Sequence, residues 1–244
     1  GILFVFIIKT KTMKKYILFT TILLMVINAS SQNIANKQFS LISYDLNISK
    51  DITEELSVLE DFIDNIKTYN DPGNDKVRAI FEHIIYYTLK DKLEQELEME
   101  ILPINTFMRS VKYDDYGYPT TTIRDALRKG DSKFYFKVDV KIESLTEDKR
   151  KDSPELFEDI DYDVVFPQMS MEITIFNNQG IIPVDKWVGT TTAKKPLRIN
   201  EYLLKGFDNT TMTIEPAENQ QADNFYLMLD RVIYNTIQDF YNKE

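Results

Sequence analysis

The sequence contains no cysteine and only one histidine, His83. Disulfide bonds are therefore excluded, and the fold has to depend on a hydrophobic core, which a chain of 244 residues is long enough to bury. A usual zinc site needs several cysteine or histidine ligands, and a Ser-His or Cys-His nucleophile needs a positioned base. The sequence offers neither, and we expect His83 to make a hydrogen bond at the edge of a helix.

Glycine is scarce as well, with seven residues in the chain. No glycine-rich phosphate loop and no G-x-S-x-G nucleophile turn is present. We therefore predict no catalytic residue of these classes and no cofactor. Paired carboxylates are the exception, because a glycoside hydrolase needs only two well-placed acids and the chain has 39 acidic residues.

Basic residues are fewer than acidic ones, 29 against 39. The first 31 residues hold four of the lysines and no acid, so the rest of the chain carries a net charge near −14. Such a chain is repelled by phosphate backbones and by anionic lipid surfaces. We predict that nucleic acid is not a partner.

No apolar run in the chain is long. The main candidate for a membrane-directed segment lies near the N-terminus, in the stretch "MKKYILFTTILLMVINASSQ", residues 13–32. Two lysines, twelve mostly apolar residues and a group of small residues follow one another there, as in a secretory signal peptide. A membrane anchor is the alternative, but a spanning helix needs about 20 apolar residues. We expect residues 1–31 to be an upstream segment plus a signal peptide that is cleaved before Gln32.

This leader predicts an exported bacterial protein, either periplasmic or extracellular. Since no cysteine follows the apolar run, we expect no lipid attachment there. We also expect no membrane span after cleavage. No internal repeat and no long linker divides residues 32–244, so we predict that they form a single globular domain.

The first part of the mature chain predicts one strand and two helices. Alternation in residues 38–46, with Leu41 and Ser43 on one face, indicates the strand. Asp51, with Glu54 three residues later, begins a helix with an apolar stripe. Proline and glycine in "YNDPGND" separate it from a second, longer helix, which predicts a helical hairpin.

The second part of the chain predicts an antiparallel sheet. Residues 133–145 and 169–175 alternate between apolar and polar side chains, and "NNQG" suits a hairpin to a third strand. A short helix "IRDALRK", capped by Thr121 or Thr122, and a closing helix at Asn224–Tyr241 complete the pattern. The predicted fold class is α+β, with an antiparallel sheet of about four to five strands covered on one face by helices as a two-layer sandwich.

The stretch "YDDYGYP", residues 113–119, groups three tyrosines and two aspartates around a turn: Tyr113, Asp114, Asp115, Tyr116 and Tyr118. We call it the tyrosine loop. Tyrosine offers a flat contact area with a polar tip, which suits protein and carbohydrate recognition. We predict these five residues as ligand-binding. The alternative is a structured loop whose rings cover the edge of the sheet.

Three aspartates alternate in the acidic insertion, residues 146–163: Asp159, Asp161 and Asp163. Calcium prefers oxygen ligands, which makes these residues a candidate metal site. The sixth position of the pattern holds Val164, where an EF-hand loop needs glycine. A solvated acidic loop is therefore the competing interpretation.

These observations predict a non-catalytic binding or assembly-accessory protein of the bacterial envelope. Its partner would be a protein or a glycan, contacted through the tyrosine loop and the acidic insertion. A carboxylate-dependent hydrolase acting on polysaccharide is the alternative, and a homodimer and a calcium-stabilised structural role are left open. A bare, aromatic sheet face opposite the helices would indicate a binding platform or a dimer interface, whereas a covered face would leave the loops as candidates.

Overall fold

The elements alternate between strands and helices along the chain, and the computed structural model describes residues 34–56, 76–145, 166–193, 207–208, 213–214 and 224–243. The fold described here belongs to the unit Ala35–Lys243. The predicted leader, the turn of the predicted helical hairpin and the acidic insertion lie outside the described residues. The signal peptide, the domain boundary and the hairpin therefore stay predictions.

Seven strands, four α-helices and one 3₁₀ segment are present in the described ranges. They are β1 (Gln38–Ile48), α1 (Lys50–Leu56), α2 (Lys76–Glu96), β2 (Glu100–Ile101), the 3₁₀ segment (Ile104–Ser110), α3 (Ile123–Lys129), β3 (Phe134–Ser144), β4 (Pro167–Asn177), β5 (Asp185–Thr192), β6 (Phe207–Asp208), β7 (Thr213–Ile214) and α4 (Asn224–Tyr241). Five strands form one curled sheet in the order β2-β1-β3-β4-β5, and β6 pairs with β7. The α+β class is confirmed.

The five-stranded sheet is mixed, so the prediction of an antiparallel sheet was wrong for its first strand. β1 runs parallel to β2 and to β3, whereas β3, β4 and β5 are antiparallel. The connection from β1 to β3 contains helices, and a parallel neighbour requires a crossover of this kind. Side-chain alternation indicates which face of a strand is buried, but it does not indicate the direction of the neighbouring strand.

One face of the sheet carries the main core. The register aligns Val138 of β3 with Tyr44 of β1 and with Ile173 of β4, and it aligns Ile173 with Trp187 of β5. All four side chains are buried. Because directly paired residues point to the same face, the apolar sets of four strands form one continuous layer.

Two helices cover this face. α4 packs across β4 and β5, and α2 packs on β1, where the rings of Tyr86 and Tyr44 meet edge to face. Phe81 of α2 and Phe225 of α4 join the two helices, with ring centroids 4.7 Å apart. The predicted bounds of α4 are confirmed. None of the described helices has the length and the apolar character needed to cross a membrane.

A β-bulge at Ile42 changes the alternation within β1. Leu41 lies opposite Phe136, and Ser43 lies opposite the next residue of β3, so Ile42 is an extra residue in the strand. Beyond the bulge, Tyr44 continues the core face. The prediction that Ser43 shares a face with Leu41 was therefore wrong, since a one-residue shift exchanges the two faces.

A second, smaller core lies on the opposite face of the sheet, where the 3₁₀ segment and α3 cover the beginning of β3. Its buried members are Ile42, Phe107, Val111, Ala126, Tyr135 and Phe176. Elsewhere on this face, Lys137 pairs with Asp139 at 2.9 Å and Lys186 pairs with Glu172 at 2.8 Å. The face is thus partly covered and partly charged, so it is not the bare, aromatic platform considered above.

The short helix α3 has the predicted ends. The Asp125 N–H donates to Thr122 Oγ1 at 3.2 Å, which identifies Thr122 as the N-cap. Gly130 is the C-cap, and its N–H donates to the Ala126 carbonyl at 2.8 Å. A Cβ at Gly130 would lie 2.6 Å from Cε1 of Phe107, so a larger residue here would have to displace this ring of the second core.

Candidate functional site

The tyrosine loop is a tight turn organised by Asp114. The Asp114 N–H donates to the Tyr118 carbonyl at 2.9 Å. One carboxylate oxygen of Asp114 accepts the N–H groups of Tyr116 at 3.0 Å and of Tyr118 at 2.8 Å. Gly117 has a φ of 88°, a conformation that glycine adopts without strain. The backbone of the loop is therefore fixed by its own hydrogen bonds.

The Asp114 carboxyl has a raised pKa. Burial is the main cause, and the N–H groups of the loop and the nearby Arg78 oppose it without cancelling it. A raised pKa is a property of many catalytic acids. Here, however, the carboxylate is engaged by the backbone of its own loop, which favours a structural role for Asp114.

Tyr118 points into the protein and anchors the loop. Its side chain is 4% exposed. Its ring centroid lies 4.7 Å from that of Tyr44 on β1 and 5.4 Å from that of Tyr86 on α2. Burial raises the pKa of all three hydroxyl groups. These contacts fix the position of the loop against the core, and Tyr118 leaves almost no surface for a ligand.

Tyr116 and Arg78 form the outer side of the loop. The guanidinium carbon of Arg78 lies 5.4 Å from the centroid of the Tyr116 ring, within the range of a cation–π contact. Arg78 Nε donates to Glu82 Oε1 at 2.8 Å, and Nη2 donates to the Leu46 carbonyl at 3.0 Å. Arg78 thereby links α2, β1 and the loop, and the Glu82 carboxylate, which is 2% exposed, holds it in place.

The other two predicted residues lie on either side of Asp114. Tyr113 forms a β-bridge with Pro119 and packs against the second core, and Asp115 is exposed. Asp115 is thus at the surface, Tyr113 and Tyr116 are half-buried, and Tyr118 lies beneath the loop. The structure brings the five residues together, and ligand binding by them stays a prediction.

Neither Arg78 nor Glu82 belongs to the site predicted from the sequence. A signal was present, because a basic and an acidic residue four positions apart on a predicted helix are neighbours on its surface. The burial of Glu82 was not predictable from that spacing. His83, expected at the edge of the helix, is buried, and its ring centroid lies 4.3 Å from that of Tyr87.

The candidate calcium ligands Asp159, Asp161 and Asp163 lie outside the described residues, so this site stays a prediction. Over the ranges that the structure describes, no group of three or more histidine, cysteine, aspartate or glutamate side chains is arranged to hold a metal ion. Polysaccharide hydrolysis likewise stays a prediction. The carboxyls of Glu82 and Asp114 make the contacts given above, and those contacts favour structural roles for both.

No protein-family model and no curated protein matches this sequence. Two solved structures to which this chain is weakly similar are a hypothetical protein from Chlamydia trachomatis and a homologue of a neuraminyllactose-binding hemagglutinin from Helicobacter pylori. The first is 8% identical with a TM-score of 0.41, and the match covers 84% of this chain and 95% of that chain. The second is 13% identical with a TM-score of 0.36, and the match covers 86% of each. At these low TM-scores neither similarity carries an argument about the fold or the function of this chain.

Proposed function

We propose that this chain is a non-catalytic binding protein, exported to the bacterial envelope, that contacts a protein or a glycan through the outer side of the tyrosine loop. Asp115 and Tyr116 are the central contact residues, with Arg78 beside them and Tyr113 at the margin. The acidic insertion is proposed as a second contact surface. The leader sequence supports the location, which is periplasmic or extracellular.

The observation that carries this proposal is the fixed backbone of the tyrosine loop. Binding normally costs free energy to order a loop, and a loop that is ordered beforehand avoids much of that cost. Asp114 orders this loop from within, and Tyr118 attaches it to the core. Contact residues on such a loop keep their geometry before the partner arrives.

The side chains at the surface of the loop have the chemistry of a recognition site. Tyr116 combines an apolar ring with a hydroxyl group, and Arg78 adds a planar cation beside it. The carboxylate of Asp115 accepts hydrogen bonds next to them. A flat ring with donors and acceptors at its rim suits the face of a sugar or a peptide backbone.

Binding measurements on the mature chain test this proposal. The protein, residues 32–244, is immobilised and probed with a panel of bacterial envelope glycans and with purified envelope proteins. Tyr116→Ala is expected to lower the affinity for each ligand found by at least about tenfold, or about 1.4 kcal/mol. Tyr116→Phe measures the contribution of the hydroxyl group separately.

Tyr234→Ala is the matched control, because Tyr234 lies on α4 and is 59% exposed. This control is expected to bind like the wild type. Circular dichroism confirms that each variant is folded. Wild-type affinity in the folded Tyr116→Ala variant would show that the loop is not the contact surface.

A further inference from the structure

β5 is the last strand of the five-stranded sheet, and alternate residues along it turn their backbone groups away from β4. The Ala193 N–H donates to the Pro167 carbonyl at 3.0 Å, and these two residues continue the register between the strands. In an antiparallel pair every second residue makes such bonds. The N–H and C=O groups of Lys186, Val188 and Thr190 therefore point outward, where another strand would add.

Side chains at and just after the C-terminal end of α4 bond three of these six outward groups, and the Lys186 N–H donates to the carboxylate of its neighbour Asp185 at 2.7 Å. Along the strand, the Lys186 carbonyl accepts from Lys243 Nζ, the Val188 N–H donates to Asp239 Oδ2 at 2.8 Å, and the Thr190 carbonyl accepts from Asn235 Nδ2 at 2.8 Å. Asn235, Asp239 and Lys243 are four residues apart, so they lie along one side of the chain where α4 ends. Lys243 and Asp239 also pair with each other at 2.6 Å.

The covered edge has the composition of a strand that pairs readily. Residues 187–192, with the sequence WVGTTT, contain no charge and no proline. Most of them are β-branched or aromatic, which favours extended structure. Exposed edges with these properties associate with other strands, and natural proteins protect them with charges, bulges or a covering helix.

We infer that the C-terminal end of α4 is an edge cover that prevents β5 from pairing with β5 of a second copy of this chain. Antiparallel pairing about a two-fold axis at Gly189 would place Val188 of one copy opposite Thr190 of the other, and Lys186 opposite Thr192. These residues carry the outward backbone groups, so the N–H and C=O groups of one copy would form hydrogen bonds with those of the other. No two like charges would face each other across the pair, which makes a second copy the matching occupant.

The double variant Asn235→Ala with Asp239→Ala tests the edge cover in the mature chain. Light scattering after size-exclusion chromatography measures the molar mass over a wide range of protein concentration. The wild type is expected to be monomeric and the double variant to form a dimer as its concentration rises. Arg231→Ala, on the exposed side of α4, is the control and is expected to remain monomeric.

A third substitution identifies the surface that dimerises. Val188 lies on β5 and is 43% exposed. Adding Val188→Lys to the double variant is expected to restore the monomer. Pairing of the two β5 strands would bring the introduced lysines of both copies close to each other and to Lys186, and the repulsion between these positive charges opposes the dimer. A triple variant that still dimerises would place the contact elsewhere and overturn the inference.

A wild-type dimer, or a folded double variant that is monomeric at every concentration, would also overturn the inference. If the double variant does not fold, Lys243→Ala takes its place, because this residue follows the last helical position of α4. A dimer fraction above that of the wild type would then support the edge cover. An unchanged fraction would reject it.

Discussion

Gly189 sets the distance between α4 and β5, and its replacement by alanine is a sharp test of this packing. A Cβ at position 189 would lie 2.3 Å from Thr236 Oγ1, 2.4 Å from the Val232 carbonyl oxygen and 2.6 Å from the Thr236 nitrogen. Two of these three atoms belong to the backbone, so a change of the Thr236 rotamer cannot relieve the clash. The helix would have to move outward by about 1 Å to restore ordinary contact distances of about 3.5 Å.

The expected loss of stability follows from that displacement. Overpacking of a core position costs about 1–3 kcal/mol, and a gap of about 1 Å forfeits up to about half of the dispersion energy of the atoms that line it. α4 buries one apolar side of its length: Phe225, Met228, Leu229, Val232, Ile233, Ile237 and Phe240. We therefore expect Gly189→Ala to lower the free energy of unfolding by about 3 kcal/mol. For a domain of this size the melting temperature would fall by about 6–12 °C.

Urea unfolding followed by the fluorescence of Trp187 measures this effect. Trp187 is the single tryptophan and is fully buried. Its ring centroid lies 5.0 Å from the ring centroid of Phe240 on α4. Gly180→Ala is the control, since nothing lies within 4 Å of a Cβ at that position, and it should change stability by less than about 0.5 kcal/mol. If Gly189→Ala lowers the free energy of unfolding no more than this control does, α4 and β5 do not pack as closely as described here.

Three further predictions concern a helix cap, a buried hydroxyl and an ion pair. Thr122→Ala removes the cap of α3 and should cost about 1 kcal/mol in urea unfolding, whereas equal stability would contradict the capping bond. The hydroxyl of Tyr86 is buried and has no hydrogen-bond partner in the described part of the chain, so Tyr86→Phe should raise stability by about 1 kcal/mol. Tyr44→Phe loses a hydrogen bond to the Glu82 carbonyl of α2, so it should not raise the free energy of unfolding. Increased stability in both variants, or in neither, would refute this reasoning. The pKa of Asp239 is lowered chiefly by its bond to Lys243. The stabilisation that the ionised Asp239 carboxylate contributes is therefore complete above the unfolded-state pKa of about 3.9, and it is lost as the pH falls through the lower folded-state pKa. Asp239→Asn should therefore flatten the acid limb of a stability-against-pH profile, and an unchanged limb would contradict the pairing.

Elements with a local burial pattern were predictable from the sequence. Alternation over residues 133–145 predicted β3, which spans Phe134–Ser144, and a helical stripe predicted the bounds of α4. In both cases the core contacts repeat along the element itself, so the period alone is informative. The direction of β1 and the bulge at Ile42 depend on the neighbouring strand and on the crossover, and no local period contains that information.

The candidate site was predictable only in part, for the same reason. The turn formers around Gly117 predicted the loop, and the tyrosines drew attention to it. The burial of Tyr118 depends on Tyr44 and Tyr86, which are distant in sequence. The bonds that cover β5 join residues 45, 51 and 57 positions apart, so the sequence pattern gave no indication of the edge cover.

The proposal that the outer side of the tyrosine loop is the contact surface can be tested by site-specific photocrosslinking in bacterial cells that express the protein. A benzophenone-bearing phenylalanine analogue replaces Tyr116 in one variant and Tyr234 of α4 in the other. Illumination is expected to give a discrete protein or glycan adduct from position 116 and none from position 234. Adducts from position 234 alone, or equal adducts from both, would contradict the assignment of the contact surface to this loop.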